Sequence, residues 1–471
     1  MTEEQRAAVR APPDQHVTIV AGPGTGKTYT LVRRIEHLTR SCGMRNVVAL
    51  SFTVAAAREL DDRLTGLVPP GSSVRCTTLH AWALDLLDQL PELAGRTVYD
   101  ADDAQDIRGL VARTTPPKMI PEVYRQRLRE AHATDYDLLI TDLLDWLPTL
   151  PAHHLPTHLM VDEYQDLDET QHRIVDLLVD RGVIVTTVGD PRQSIYQWRG
   201  ARPDLMRQYG AVVHLTTSFR STPEIVASAN RHYPHLPELR AVHDAGAPVV
   251  QISEAHADDV HRFEVQTRGQ TRAILCRTWR DCGDAYDVLG PDRACWYGPG
   301  PRTSPNEKAL ARWIRLAVNP SDTLLMALLI QHLHGDARLQ EAIVDGIREA
   351  ARDLLPPIPT STVTAEVAEA YPEPVPADRL ERLRRPFLRS TPAFARWWSL
   401  GRDTRPTMDP TETRVHVMSV HSAKGLEWDA VLSVTPPPHD EESRSLRYVA
   451  ETRPGRLLWA SDRARIRRAS P

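Results

Sequence analysis

The chain has 471 residues, enough for roughly two to four domains with buried cores. Hydrophobic residues make up 41% and charged residues 25%, as in ordinary globular proteins, and the net charge of −5 excludes a wholesale polyanion-coating protein but not a local basic groove. Five cysteines (Cys42, Cys76, Cys276, Cys282 and Cys295), without C-x-x-C spacing, exclude a disulfide framework or thiolate metal site. No apolar run reaches the ~18 residues of a membrane span, and the opening Thr2-Glu3-Glu4-Gln5 is no signal peptide, so a cytoplasmic protein without membrane association is expected.

In chain order, the first element is the apolar run Val17-Thr18-Ile19-Val20, which predicts a buried strand. Ala21-Gly22-Pro23-Gly24-Thr25-Gly26-Lys27-Thr28 follows, then a helical stretch over Thr30–Ile35. This strand–loop–helix is a nucleotide-phosphate cradle. Its glycines let backbone N–H groups curl around phosphate oxygens, Lys27 reaches the β/γ-phosphates, and the Thr28 hydroxyl ligates Mg²⁺. Ala21 stands where the pattern has its first Gly. Only four of the 57 basic residues are Lys: Lys27, Lys118, Lys308 and Lys424. A chain so biased toward Arg keeps Lys at the cradle, where a compact ammonium fits and a planar guanidinium does not.

A second strand, Val47–Leu50, ends at Phe52, one of five Phe. A third, Leu159–Val161, ends in Asp162 and Glu163, a carboxylate pair suited to holding Mg²⁺ (Asp162) and polarising the attacking water (Glu163). A fourth, Val183–Val188, leads into Gly189-Asp190-Pro191-Arg192-Gln193. Strands that end in polar residues and alternate with helices predict a parallel α/β sheet with its site at the carboxyl ends. The loop Tyr196-Gln197-Trp198-Arg199 offers two aromatic platforms and a cation; stacking of this kind contributes on the order of 1–3 kcal/mol per base.

With these pieces in place, the chain resembles a superfamily 1 DNA helicase of the UvrD/Rep/PcrA type, and the motifs stand in the family's order. Met1–Val9, with Gln5, resembles the adenine-reading Q motif; Ser51-Phe52-Thr53, motif Ia; Thr78-Leu79-His80, the next strand-contacting motif. Val161–Asp166 is similar to motif II, Gly189–Ala201 to motif III, Ser218–Thr222 to motif IV, Val420–Asp429 to motif V and Tyr448–Arg453 to motif VI. The resemblance implies that Lys27, Thr28, Asp162 and Glu163 carry ATP–Mg²⁺ binding and hydrolysis, with Gln193 sensing the γ-phosphate. Arg220 and Arg453 would reach across from the second motor domain. Phe219 would stack on adenine, Glu427 would accept from the ribose, and Thr53, His80 and His421 would contact the strand or link it to the ATP site.

The same resemblance implies two RecA-like P-loop domains with parallel sheets: residues 1–84 with 158–211, and 212–325 with 411–471. Residues 85–157 form a helical inserted domain, and 326–410 a reduced second inserted subdomain, short and punctuated by proline. Helices are expected over 308–316 and 342–350. The chain ends eighteen residues after Arg453, which argues against a helicase–nuclease fusion. The expected activity is an ATP-dependent 3′-to-5′ helicase or translocase acting on single-stranded and tailed duplex DNA. The alternative is a nucleic-acid-sensing ATPase subunit of a larger replication, recombination or anti-phage defence assembly, working with a nuclease or a replication or recombination factor and unwinding little on its own. Val54 and Ala55, where the family usually has Asn and Lys, favour this alternative by removing polar strand contacts.

Overall fold

The computed structural model describes residues 1–206, 209–297, 312, 324–325, 327–328, 414–463 and 466–467. The inserted subdomain expected at 326–410 and the helices expected over 308–316 and 342–350 lie outside these residues, apart from Arg312 and Ala327–Leu328. No helix among the described residues is long and apolar enough to cross a membrane.

Residues 1–89, 140–297 and the described residues from 414 onward form one compact unit built on two six-stranded parallel sheets. The first has the order Ser73–Thr78, Asn46–Ser51, His158–Val161, Ile184–Gly189, Val17–Ala21, Ala211–Leu215. Because every pairing in it is parallel, all carboxyl ends share one edge. Valine, isoleucine and leucine dominate its inner strands, as suits a sheet covered on both faces. Val17, Ile19, Val47 and Met160 pack beneath Leu31 and Ile35 of the Lys27–Glu36 helix and Leu60 and Leu64 of the Val54–Leu64 helix. The second sheet runs Val250–Ile252, Pro454–Ser461, Trp428–Val434, Arg272–Cys276, Val415–Ser419, Ala294–Trp296. Its core joins Ile274, Val417 and Leu432 to Phe263, Cys282 and Trp459.

The other unit holds residues 90–139. Helices Ala101–Ala112 and Ile120–Glu130 pack beside a two-stranded parallel ladder, Thr97–Tyr99 with Ala133–Asp135. The ladder adds β structure to a stretch whose sequence reads as helical. The buried Asp135 that ends it accepts from the Tyr124 hydroxyl at 2.5 Å and from Arg108 at 3.0 Å.

Candidate nucleotide and strand-binding site

The Val17–Ala21 strand runs directly into the glycine loop. Gly24 (φ 71°) and Gly26 (φ 78°) adopt left-handed backbone that L side chains rarely take. Space excludes them too: a Cβ on Gly24 would lie 2.6 Å from Cβ of Arg220, and one on Gly26 would lie 2.9 Å from Nε2 of Gln5. Gly26 caps the helix that Lys27 and Thr28 open, so that helix's unpaired N–H groups face the loop. Ala21 is fully buried in the sheet core and Thr25 is folded inward, its hydroxyl donating to the Gly22 carbonyl at 2.7 Å; these two offer backbone only. Gln5 is buried, with Nε2 donating to the Thr25 carbonyl at 3.0 Å and Oε1 accepting from the Thr2 amide at 3.0 Å.

A cleft of about 1210 Å³ gathers Gly22, Pro23, Gly24, Gly26, Lys27 and Thr28 with Glu163, Gln193, Phe219, Arg220, Glu427 and Arg453. Residues from motifs far apart in sequence thus line one volume. Glu163, the second residue past the His158–Val161 strand, sits at φ 51°, an uncommon backbone for a non-glycine and a local strain of the kind found at functional sites. Its carboxylate accepts from Lys27 at 3.2 Å and from Gln165 Nε2 at 2.6 Å, and Lys424 Nζ lies 4.0 Å away. Two of the chain's four lysines therefore converge on one carboxylate. Withdrawal from water alone would push Glu163 up, but Lys27, Lys424 and Gln165 outweigh it and hold it below the usual carboxylate range. Asp162 is pushed the other way, by burial and then by the negative charge of Glu163.

A hard divalent cation fits this pairing. The Thr28 hydroxyl and the Asp162 carboxylate are both oxygen donors, and the cation's charge would offset the burial and the Glu163 repulsion that together raise Asp162. Among the described residues no group of three or more His, Cys, Asp or Glu is placed to hold a metal alone.

Buried Gln193 bridges the sheets: Nε2 donates to Asp190 at 2.8 Å, and Oε1 accepts from Arg453 Nη2 at 3.3 Å. Arg453 is buried, and burial together with the like charge of Arg220 lowers it to about 9. Arg220 donates to Glu427 at 2.7 Å and to the Thr452 carbonyl at 3.2 Å. Phe219 is 44% exposed at the cleft mouth.

Along the same sheet edge, Thr53 and Thr78 cap the helices that follow their strands, accepting from Ala56 and Ala81, and His80 is half-buried in the first turn of the second helix. Tyr196 is only 6% exposed and stacks on Phe52 at 5.3 Å with rings 19° from parallel. It also packs among Met418, Val420 and Leu446 beneath the second sheet, so in this arrangement it serves as core. Trp198 is 65% exposed, with Arg199 beside it at 5.8 Å. Its indole N–H points to His421 Nε2 at 3.3 Å, and that nitrogen also lies 3.1 Å from the Ile195 carbonyl. Trp198 is thus the open aromatic face of the loop.

Sequence reasoning left Lys424 and Asp166 without roles. Lys424 ion-pairs with buried Asp166 and donates to the Gln193 carbonyl at 2.9 Å, tying the motif V loop to motifs II and III. The usable signal was the rarity of lysine.

A glycine cradle at the carboxyl edge of one parallel sheet, faced by Arg453 beside the second and by Arg220 on the segment between them, fits a RecA-like P-loop architecture with two parallel sheets. The AAA domain model AAA_19 matches residues 5–199. The ATP-dependent DNA helicase Rep of Escherichia coli is 27% identical over 64% of this chain and 56% of its own length. UvrD1 of Mycobacterium tuberculosis is 30% identical over 45% of this chain and 36% of its own. UvrD2 of Mycobacterium bovis is 27% identical over 98% of this chain and 79% of its own length. The chain thus spans about half the length of Rep and about a third of UvrD1. With the motifs in order on these sheets, these similarities support a superfamily 1 helicase fold of the UvrD/Rep/PcrA type.

Proposed function

We propose that the chain is an ATP-dependent motor that moves 3′ to 5′ on single-stranded DNA and separates duplex ahead of it. The observation that carries this reading is the single cleft shared by the glycine loop, Glu163, Gln193, Arg220 and Arg453. In the proposed cycle, triphosphate oxygens draw Lys27 away from Glu163. Glu163 then orients and deprotonates the attacking water, and Arg220 and Arg453 offset charge on the transferring phosphoryl group. Thr28 and Asp162 would hold Mg²⁺, which when bound neutralises phosphate charge. Phe219 and Glu427 would take the nucleoside, and Gln5 would read adenine from the base of the loop. Through Gln193, which touches both Asp190 and Arg453, the phosphate state reaches the Trp198 loop and its strand.

The domain partition that goes with this reading places residues 1–84 with 158–211 in one motor domain and 212–325 with 411–471 in the other. Strand contact is assigned to Trp198, Arg199, Thr53, His80, His421 and Phe52, with Tyr196 as the support under Phe52. A second reading, a strand-sensing ATPase that depends on a nuclease or a replication or recombination factor, draws support from Val54, an apolar side chain 44% exposed beside Thr53. Steady-state hydrolysis by the purified chain, with and without single-stranded DNA, separates the two. Strong stimulation that disappears in Lys27→Ala is expected of the motor, followed by unwinding of a 3′-tailed duplex. Hydrolysis that ignores DNA or requires an added protein would replace it with the switch.

A further inference from the structure

Segment 215–220 links the last strand of the first sheet to the first helix associated with the second, and it lies along the glycine loop. The Leu215 carbonyl accepts from the Gly22 amide at 3.3 Å, the Ser218 hydroxyl donates to the Pro23 carbonyl at 3.2 Å, and the Phe219 amide donates to the Gly24 carbonyl at 2.8 Å. Three consecutive loop residues are therefore stitched to the segment that ends in Phe219 and Arg220. Glu4, on the Glu3–Arg10 helix, holds the middle of this strap. Its carboxylate accepts from the Thr216 amide at 3.0 Å and the Thr216 hydroxyl at 2.6 Å, with the Thr217 hydroxyl at 3.5 Å. The next residue, Gln5, donates to the Thr25 carbonyl on the other side of the loop. Two adjacent side chains of one helix thus grip the phosphate loop and the strap that covers it.

We propose that Glu4 is a positioning residue: it clamps the strap at Thr216 so that Phe219 and Arg220 stay in register with the glycine loop. The inference rests on the ATPase reading for its kinetic consequence and on geometry for its local one. A carboxylate accepting two N–H or O–H donors from one residue makes a short, directional clamp. Small misplacements of a phosphate-facing arginine are costly to turnover.

The test compares wild type, Glu4→Ala, Glu4→Gln, Thr216→Val and the double variant Glu4→Ala/Thr216→Val in the full chain, with Lys27→Ala as the hydrolysis control. Expected for Glu4→Ala are a roughly tenfold lower kcat with KM within about threefold, partial recovery in Glu4→Gln, which keeps one acceptor, and a double variant no worse than Glu4→Ala. Hydrogen exchange at the Phe219 amide should speed up at least tenfold in Glu4→Ala while amides of the Val17–Ala21 strand stay unchanged. An unaltered kcat together with an unaltered Phe219 amide overturns the clamp. So does a loss that Glu4→Gln fails to relieve and that brings general acceleration of exchange. If wild type shows no Lys27-dependent hydrolysis, the ATPase reading falls, and the Phe219 exchange rate alone still decides the clamp.

Discussion

Tyr196 and Trp198, two residues apart, are separated by burial. Tyr196 rests against Phe52 inside an apolar cluster, whereas most of the Trp198 indole is open. Tyr196→Ala should therefore cost about 3 kcal/mol of stability through the cavity it leaves, read as a lowered denaturant midpoint, while Tyr196→Phe leaves strand affinity unchanged. Trp198→Ala should do the reverse, weakening oligonucleotide binding in an anisotropy titration by about 1–3 kcal/mol with little change in melting. Equal effects of the two alanine variants on binding would return Tyr196 to the strand groove. The glycine cradle and the carboxylate pair were legible in the sequence because their chemistry is local: a loop needs glycine where φ is positive, and a strand end presents its next side chains. The environment of Tyr196 was not legible, because its neighbours Met418 and Leu446 lie more than two hundred positions away.

Among the elements, the Glu441–Glu451 helix carries a buried charge cluster ahead of Arg453. Glu451 accepts from Arg447 at 2.7 Å, Ser228 at 2.9 Å and His232 at 3.0 Å. Burial would push its carboxyl up, but His232 and Arg447 hold it down at about 2. Since the folded value lies below the ordinary 4.5, this carboxylate adds stability above about pH 4.5 and loses it as pH falls toward 2. Glu451→Gln is expected to lower unfolding free energy by on the order of 3 kcal/mol at pH 7. Urea unfolding across this range should show the deficit shrinking with acid; a constant deficit would mean that packing, not charge, is at stake. Four strands of the first sheet were readable from apolar runs between glycine and polar breaks. The order in which they pair was not, because pattern fixes which face is buried and leaves the neighbour open.

For the whole molecule, a net charge of −5 leaves the proposed strand binding to local contacts, and Val54 and Ala55 reduce the polar ones available. Single-strand affinity should therefore fall only shallowly with salt, with a log–log slope no steeper than about −3, the value for roughly four neutralised phosphates. Titrations at several salt concentrations read this slope; a much steeper one would place charge ahead of stacking.

The scarcity of lysine has a practical consequence for chemical labelling. Lys27 and Lys424 sit in ion pairs, 14% and 8% exposed, while Lys118 stands in solvent on the other compact unit. An amine-reactive dye applied briefly should mark Lys118 ahead of either cleft ammonium. A later pulse with a second amine reagent would then read whether a ligand has freed Lys27 from Glu163, turning a compositional bias into a site-selective reporter.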